Sequence, residues 1–262
     1  MDRVFISIGP INIYWYSVLI VLAIVIGIFL SLNDSKKNGL GKDFLYDMIF
    51  YLIPIAIIGA RLYYVIFNFS LFKDNLLDIF KVWEGGLAIY GAVIACIIFI
   101  ISYCKKKEKN ILLTLDTLAP YLILGQAIGR WGNFINKEAH GALTTYEYLK
   151  SMHLPNFIIE GMYINDSYYI PTFLYESIWC ILGFIILMII KKKNKFKNKG
   201  IIVFGYFIWY GIGRFFIEGL RTDSLYLGIF RISQIVSIIL ILIGIIGIIY
   251  VVRRDKKCKN TK

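Results

Sequence analysis

The sequence predicts an all-α polytopic membrane protein of seven transmembrane helices, N-terminus outside and C-terminus in the cytoplasm. Three observations carry that expectation. Hydrophobic residues make up 58% of the chain, where a soluble domain sits nearer half. A run of about 20 mostly apolar residues, the length needed to cross hydrocarbon, fits at seven places. The basic residues gather in alternate connections, which assigns a side to each. One integral domain over 1–262 holds all seven spans, with an outer-side insert at about 130–171 and a basic tail at 253–262.

The spans are read in order as 14–32, 44–67, 86–103, 112–128, 173–190, 201–216 and 233–252. The segment before the first lacks a basic start followed by a small-residue cleavage site, so no cleavable signal peptide is expected. Tyr14-Trp15-Tyr16 open that span as ordinary interfacial anchors do. Arg61 lies late in the second span, about a turn from its end, where a long side chain can snorkel to the interface. Trp83-Glu84-Gly85-Gly86 leads into the third, with Tyr90 and Gly91 behind it, and the small residues suit close helix packing. Asp116, Pro120 and Gln126 interrupt the fourth, Glu176 sits inside the fifth and Arg214 inside the sixth. Ser233-Gln234 opens the seventh, where Gln234 reads as a cap.

Loops after the first, third and fifth spans, with the C-terminal tail, hold nineteen of the 29 Lys and Arg residues. Lys105, Lys106, Lys107 and Lys109 form the third-span group, and Lys191 to Lys199 the densest. Most of the formal charge of +12 is therefore a topology signal, with some attraction to anionic cytoplasmic lipid. It argues against a nucleic-acid partner. The four cysteines show no metal spacing and no disulfide framework, so neither a metal nor a cofactor is expected. The polar residues inside or beside spans gather instead towards the outer side.

Such residues are costly in hydrocarbon and mark sites. The densest group is G-R-W-G-N-F-I-N-K-E-A-H-G at 129–141. Arg130 can hold a phosphate through two parallel donors, which Lys cannot copy. Asn133 and Asn136 supply amide donors. Glu138 can orient an arginine or accept a proton, and His140 is one of only two histidines. Gly141 closes the stretch. A second group, 210–224, places Tyr210, Arg214 and Glu218 on one helical face, with Arg221 extending the stripe. Glu176, costly if unpaired, is expected to meet Arg61 or Arg214.

The first group closely resembles the G-R-x-G-N-F-x-N-x-E-x-x-G signature of the prolipoprotein diacylglyceryl transferases. These are bacterial membrane enzymes that move a diacylglyceryl group from phosphatidylglycerol to a lipobox cysteine. The second matches the family's Y-G-x-x-R-x-x-x-E-x-x-R at 210–221, and 59–64 matches G-x-R-x-x-Y. At 83–91 the pattern W-x-G-G-x-x-x-H-G is kept with Tyr90 where many members have His. At 171–176 the P-x-x-L-Y-E is kept, with Ile170 where the family has His. The resemblance runs from Tyr14 to Gln234.

It implies a transferase of the bacterial inner (plasma) membrane, without metal or cofactor, that meets phosphatidylglycerol and a prolipoprotein's lipobox at the outer leaflet. The products are a diacylglyceryl thioether and glycerol 1-phosphate, in the first step of lipoprotein maturation. Tyr16, Arg61, Arg130, Asn133, Asn136, Gly141, Tyr210, Arg214, Glu218 and Arg221 are the implied phosphatidylglycerol ligands. Arg130 and Arg214 are the implied phosphate clamp, and Tyr90, Glu138 and His140 stay open as proton acceptors. A tyrosine, with a reference pKa near 10, is a poorer base than a histidine near 6.5. Two rival readings keep the same arginines. A non-catalytic lipid or anion transporter is disfavoured by the lack of an internal repeat. A metal-dependent phospholipid synthase is disfavoured by the lack of clustered aspartates within a span.

Overall fold

The computed structural model describes residues 3–9, 11–194, 199–222 and 226–260. Lys195, Lys197 and Lys262 of the basic segments, and Asp223 and Ser224 of the second motif, lie outside the described residues. In chain order the elements are β1 (Val4–Ile8), β2 (Ile11–Tyr14), α1 (Trp15–Lys37) and α2 (Lys42–Phe67). Three short 3-10 turns follow between Phe69 and Glu84, then α3 (Ile89–Lys106) and α4 (Ile111–Asn136). The insert contains β3 (Leu143–Thr144), α5 (Tyr146–Ser151), α6 (Asn156–Gly161), β4 (Tyr163–Ile164) and β5 (Ser167–Tyr169). The chain continues through α7 (Thr172–Asn194), α8 (Ile201–Leu220), β6 (Tyr226–Leu227), β7 (Phe230–Arg231) and α9 (Ile232–Asn260).

Seven of these helices, α1 to α4 and α7 to α9, are long and apolar enough to cross a membrane. The chain is an all-α, multi-pass membrane protein. Its described strands form only three small antiparallel ribbons, in the orders β1-β2, β3-β5-β4 and β6-β7. Two compact units divide it, residues 1–31 with 115–262 and residues 32–114.

In the first unit, small residues let helices approach where lipid offers no hydrophobic drive. Gly125 of α4 lies against Ala23 of α1, Gly129 against Ile20, and Gly132 under the Tyr16 ring. These contacts explain why α4 runs on to Asn136 although the sequence reading ended the span at 128. The glycines are packing positions on a continuing helix. Arg130, Asn133 and Asn136 are consequently helical, and the insert begins at 137.

Helices α4, α7 and α8 share a core of Ala119, Ile123, Ala127, Cys180, Leu187, Ile202, Val203 and Tyr206. A reciprocal tryptophan pair sets the register of α7 on α8. The Trp179 indole N–H donates to the Trp209 carbonyl at 3.0 Å, and that of Trp209 to the Trp179 carbonyl at 2.9 Å. Their rings stack with centroids 4.4 Å apart, Trp179 over Gly213 and Trp209 over Gly183. One turn further along this antiparallel pair, Glu176 comes opposite Arg214. At the other end of α8, buried Asp116 of α4 accepts backbone N–H bonds from Gly200 (2.6 Å), Ile202 (3.1 Å) and Val203 (2.8 Å). A carboxylate here satisfies amides that a helix start leaves without partners and matches the positive end of its dipole. The insert closes over Phe134 and Phe173, with Leu149, Ile158, Ile159 and Met162 buried beneath it.

In the second unit, α2 packs on α3 where Gly59 meets Gly91 and Ala95. The connection between them is organised by Arg61.

Candidate functional site

The site grows from the end of α4. Lys137, at φ +57°, takes the left-handed position that usually falls to glycine at a helix end. Its N–H bonds the Phe134 carbonyl at 3.1 Å, and the Glu138 N–H reaches back to that of Asn133 at 3.0 Å. This tight reversal folds Glu138 under the last helical turn. There its carboxylate accepts from the amides of Asn133 (2.9 Å) and Asn136 (3.4 Å). Asn133, held by one end, offers its oxygen to Arg130 at 3.2 Å. Glu138 therefore acts on Arg130 through Asn133, i to i+3 along α4.

From α7, Glu176 reaches the same arginine. Its carboxylate lies 2.9 Å from Arg130 and 3.5 Å from Arg214, which comes from α8. Arg214 also pairs with Glu218 one turn on at 2.6 Å and donates to the Ser233 hydroxyl of α9 at 3.3 Å. Glu176 and Glu218 are 4% and 2% exposed. The Glu218 backbone carbonyl accepts from Arg231, which also donates to the Tyr226 hydroxyl at 3.1 Å. The result is a polar chain through three helices, α4, α7 and α8, that runs Glu138–Asn133–Arg130–Glu176–Arg214–Glu218. A buried carboxylate persists only where its desolvation is offset, and here Arg130 and Arg214 offset that of Glu176 and Arg214 that of Glu218.

The 139–141 loop is tied to both neighbouring elements. The Thr172 hydroxyl donates to the Ala139 carbonyl at 2.5 Å, and the Gly141 N–H to that of Ile170 at 2.9 Å. Gly141 also pairs with Arg221 as an isolated antiparallel bridge, which joins the two sequence motifs through backbone. A Cβ on Gly141 would fall 2.9 Å from that of Ile170, so only glycine fits. His140 packs against Tyr169 with ring centroids 4.1 Å apart and the planes tilted by 45°, and its Nδ1 lies 3.2 Å from the Gly141 carbonyl. Tyr210 stacks on Tyr206, with ring centroids 5.8 Å apart.

Arg61 and Tyr90 belong to the second unit. Arg61 is buried and does not snorkel. Its guanidinium donates to four backbone carbonyls, Asp78 (2.6 Å), Gly85 (2.7 Å), Ile79 (2.8 Å) and Gly86 (3.1 Å). It thereby fixes the connection leading into α3. Tyr90, half-exposed, sits at the start of α3 beside the Gly91–Gly59 contact.

Three expectations change. Glu176 meets Arg130 as well as Arg214, while the donors of Arg61 are taken by carbonyls of its own unit. Arg221 does not extend the helical stripe, because α8 ends at Leu220 and Arg221 is extended, at φ −79° and ψ 147°. Gln234 is no cap for its own helix. It donates to the Phe215 carbonyl of α8 at 3.2 Å. The residues sequence reasoning left out of the site are Glu176, Ser233 and Arg231. For Glu176 the signal was present, a carboxylate inside an apolar span.

Two guanidinium groups converging on one acidic side chain form a receptor for a second anion, which a phosphate can enter by taking over their donors. Among the described residues no group of His, Cys, Asp and Glu is gathered as a metal centre.

Comparison with known proteins shows the family to which the chain belongs. Residues 3–250 match the family model for prolipoprotein diacylglyceryl transferase. A phosphatidylglycerol–prolipoprotein diacylglyceryl transferase from Listeria monocytogenes serotype 4b is 51% identical over 90% of this chain and 85% of its own length. One from Ligilactobacillus salivarius is 47% identical over 90% and 88%, and one from Halalkalibacterium halodurans 48% over 90% and 82%.

Proposed function

We propose that this chain, which belongs to the prolipoprotein diacylglyceryl transferase family, transfers the diacylglyceryl group of phosphatidylglycerol to a prolipoprotein's lipobox cysteine. The observation that carries the reading is the convergence of Arg130 and Arg214 on Glu176 from three helices. In the reaction the cysteine sulfur attacks the glyceryl carbon that bears the phosphate ester. A carbon–sulfur bond forms, the carbon–oxygen bond breaks with its electron pair, and glycerol 1-phosphate leaves with one more negative charge. Arg130 and Arg214 meet that charge as it develops, in a setting of low dielectric where fixed donors act most strongly.

Glu138 serves as a positioning residue, since its oxygen holds Asn133 against Arg130. His140 is the candidate of the first unit to take the thiol proton, which must leave for a sulfur of pKa near 8.5 to react at neutral pH, and Tyr90 stays a candidate on the family resemblance alone. Tyr16, Asn136, Gly141, Tyr210, Glu218 and Arg221 line or brace the lipid side of the site, and Arg61 braces the connection before Tyr90. The charge pattern of the loops supports a plasma-membrane orientation with the 137–171 insert outside, where an exported prolipoprotein arrives.

The test uses purified protein in detergent with phosphatidylglycerol and a lipobox peptide, read by mass spectrometry. A diacylglyceryl adduct on the peptide cysteine, with released glycerol phosphate, is expected. Arg130→Ala and Arg214→Ala abolish it, and Arg130→Lys does not restore it because a paired donor geometry is lost. Lipid binding without any adduct would overturn the reading in favour of a transporter.

A further inference from the structure

At the opposite end of the α2–α3 pair from Arg61 lies a cavity of about 350 Å³ that the transferase reading does not use. It is lined by Asp47 and Tyr51 of α2 and by Phe99, Tyr103, Lys106 and Lys107 at the end of α3. Its floor is aromatic. The Tyr103 ring has Phe44 stacked at 5.5 Å, Phe99 at 5.3 Å and Tyr51 at 6.5 Å. Its rim is basic, with the Lys107 ammonium 5.9 Å from the Tyr103 ring and that of Lys109 5.8 Å from Phe44. Among the described residues no hydrogen bond engages the hydroxyl of Tyr51 or Tyr103.

A solvated loop of lysines needs neither a cavity nor an aromatic floor. Both are found here, and next to the cavity α2 offers exposed apolar side chains. Asp47, Tyr51, Pro54 and Ile58 follow helical spacing on one face of α2, and Ile58 is 64% exposed. That wall is suited to an acyl chain, whereas a soluble phosphate has no use for it. The volume lies within the range of small-ligand sites and suits a phosphoglycerol head group.

We propose that this cavity is a second, non-reactive phospholipid site, for an anionic phosphodiester lipid whose head group carries hydroxyls. Lys106 and Lys107 hold the phosphate, Asp47 accepts from a head-group hydroxyl, the tyrosine hydroxyls donate to ester or phosphate oxygens, and one acyl chain follows Pro54 and Ile58. Position 47 is about 20 Å along α2 from Arg61, so this site is separate from the loop that Arg61 holds. Anionic lipid bound between span ends on the basic side is the chemistry that two interfacial lysines favour.

The experiment is native mass spectrometry of the full chain in detergent, titrated with phosphatidylglycerol, with phosphatidylcholine, or with glycerol 3-phosphate as the soluble probe. Lys106→Gln/Lys107→Gln is expected to lose one phosphatidylglycerol from the stoichiometry, or to bind it roughly thirtyfold more weakly, the factor two interfacial lysines supply. The melting temperature and the transfer rate at saturating lipid stay unchanged, and Lys106→Arg/Lys107→Arg restores binding. Should the Gln variant unfold, Asp47→Asn replaces it and is expected to narrow the preference for phosphatidylglycerol over phosphatidylcholine. Identical stoichiometry and affinity in wild type and variants would overturn the proposal. So would equal retention of phosphatidylcholine by the wild type, or displacement of the lipid by glycerol 3-phosphate at equal concentration. None of these outcomes bears on the transferase reading, whose site lies among other residues.

Discussion

Replacing Glu176 by Gln tests whether this carboxylate keeps an anion-binding site ready. The side chain keeps its shape and loses its charge. One of its termini becomes an N–H donor, pointed at one of the two guanidinium groups that now flank it at 2.9 and 3.5 Å. Removing one partner of a buried ion pair costs about 3–5 kcal/mol, because the remaining charge stays buried. The Arg130 and Arg214 side chains keep 20% and 15% exposure, so water screens them in part and the lower figure, about 3 kcal/mol, applies. For a chain of this size that corresponds to roughly 6–12 °C in melting temperature. In lipid-free detergent, Glu176→Gln is therefore expected to melt well below wild type. Phosphatidylglycerol supplies the missing anion, so its addition should raise the melting temperature of the variant by more than it raises that of wild type. Equal melting of the two proteins, or an equal lipid-induced shift, would refute the idea that Glu176 stands where the phosphate binds.

Three further outcomes follow from the packing. Arg61→Lys is expected to destabilise the second unit, since an ammonium with three donors cannot serve the four carbonyls that the guanidinium reaches; charged hydrogen bonds are worth about 1.5–3 kcal/mol each. Hydrogen exchange of the 78–88 backbone should rise sharply in this variant. Asp116→Asn keeps one acceptor for three amides and removes the charge at the start of α8, at a cost of about 1–3 kcal/mol. Its melting temperature should fall while transfer per folded molecule is unchanged, because Arg214 lies about 20 Å along the helix. Gly213→Ala places a methyl group inside the Trp179 ring contact and is expected to lower both stability and transfer, since the tryptophan pair sets Glu176 opposite Arg214. Wild-type transfer by that variant would show the pair to be dispensable.

The seven spans were legible because twenty apolar residues have few other uses, and the motif residues because charge is costly where they stand. The end of α4 was not. Gly129 and Gly132 followed by polar residues look like a helix stop, and only the partner helix, with Ile20 and Tyr16 lying on those glycines, shows them to be contacts. Pairing was legible only in part. That Glu176 needs a cation follows from its place in a span, but which arginine supplies it depends on register, and register rests on Trp179 and Trp209. Arg61 illustrates the limit most clearly. A single sequence shows an arginine near a span end, for which snorkelling, substrate binding and carbonyl capture read identically. The short ribbons were invisible for a similar reason, since strands of two to five residues carry too little alternation to register.

The two motifs read as separate blocks, yet the fold makes them one object with two kinds of link. One is electrostatic, from Arg130 through Glu176 to Arg214 and Glu218. The other is backbone, from Gly141 to Arg221. An electrostatic link can rearrange when an anion arrives, because charges exchange partners at little cost when one anion replaces another. A backbone bridge closed over a glycine with Ile170 at its back cannot yield in the same way. The geometry thus separates what must stay from what must move. Gly141, Ile170 and Arg221 hold the frame, and under the proposed function Arg130 and Arg214 are expected to leave Glu176 for the phosphate. The 3.5 Å contact between Arg214 and Glu176 is the longest in the chain of charges, and it is the one an incoming phosphate would break first.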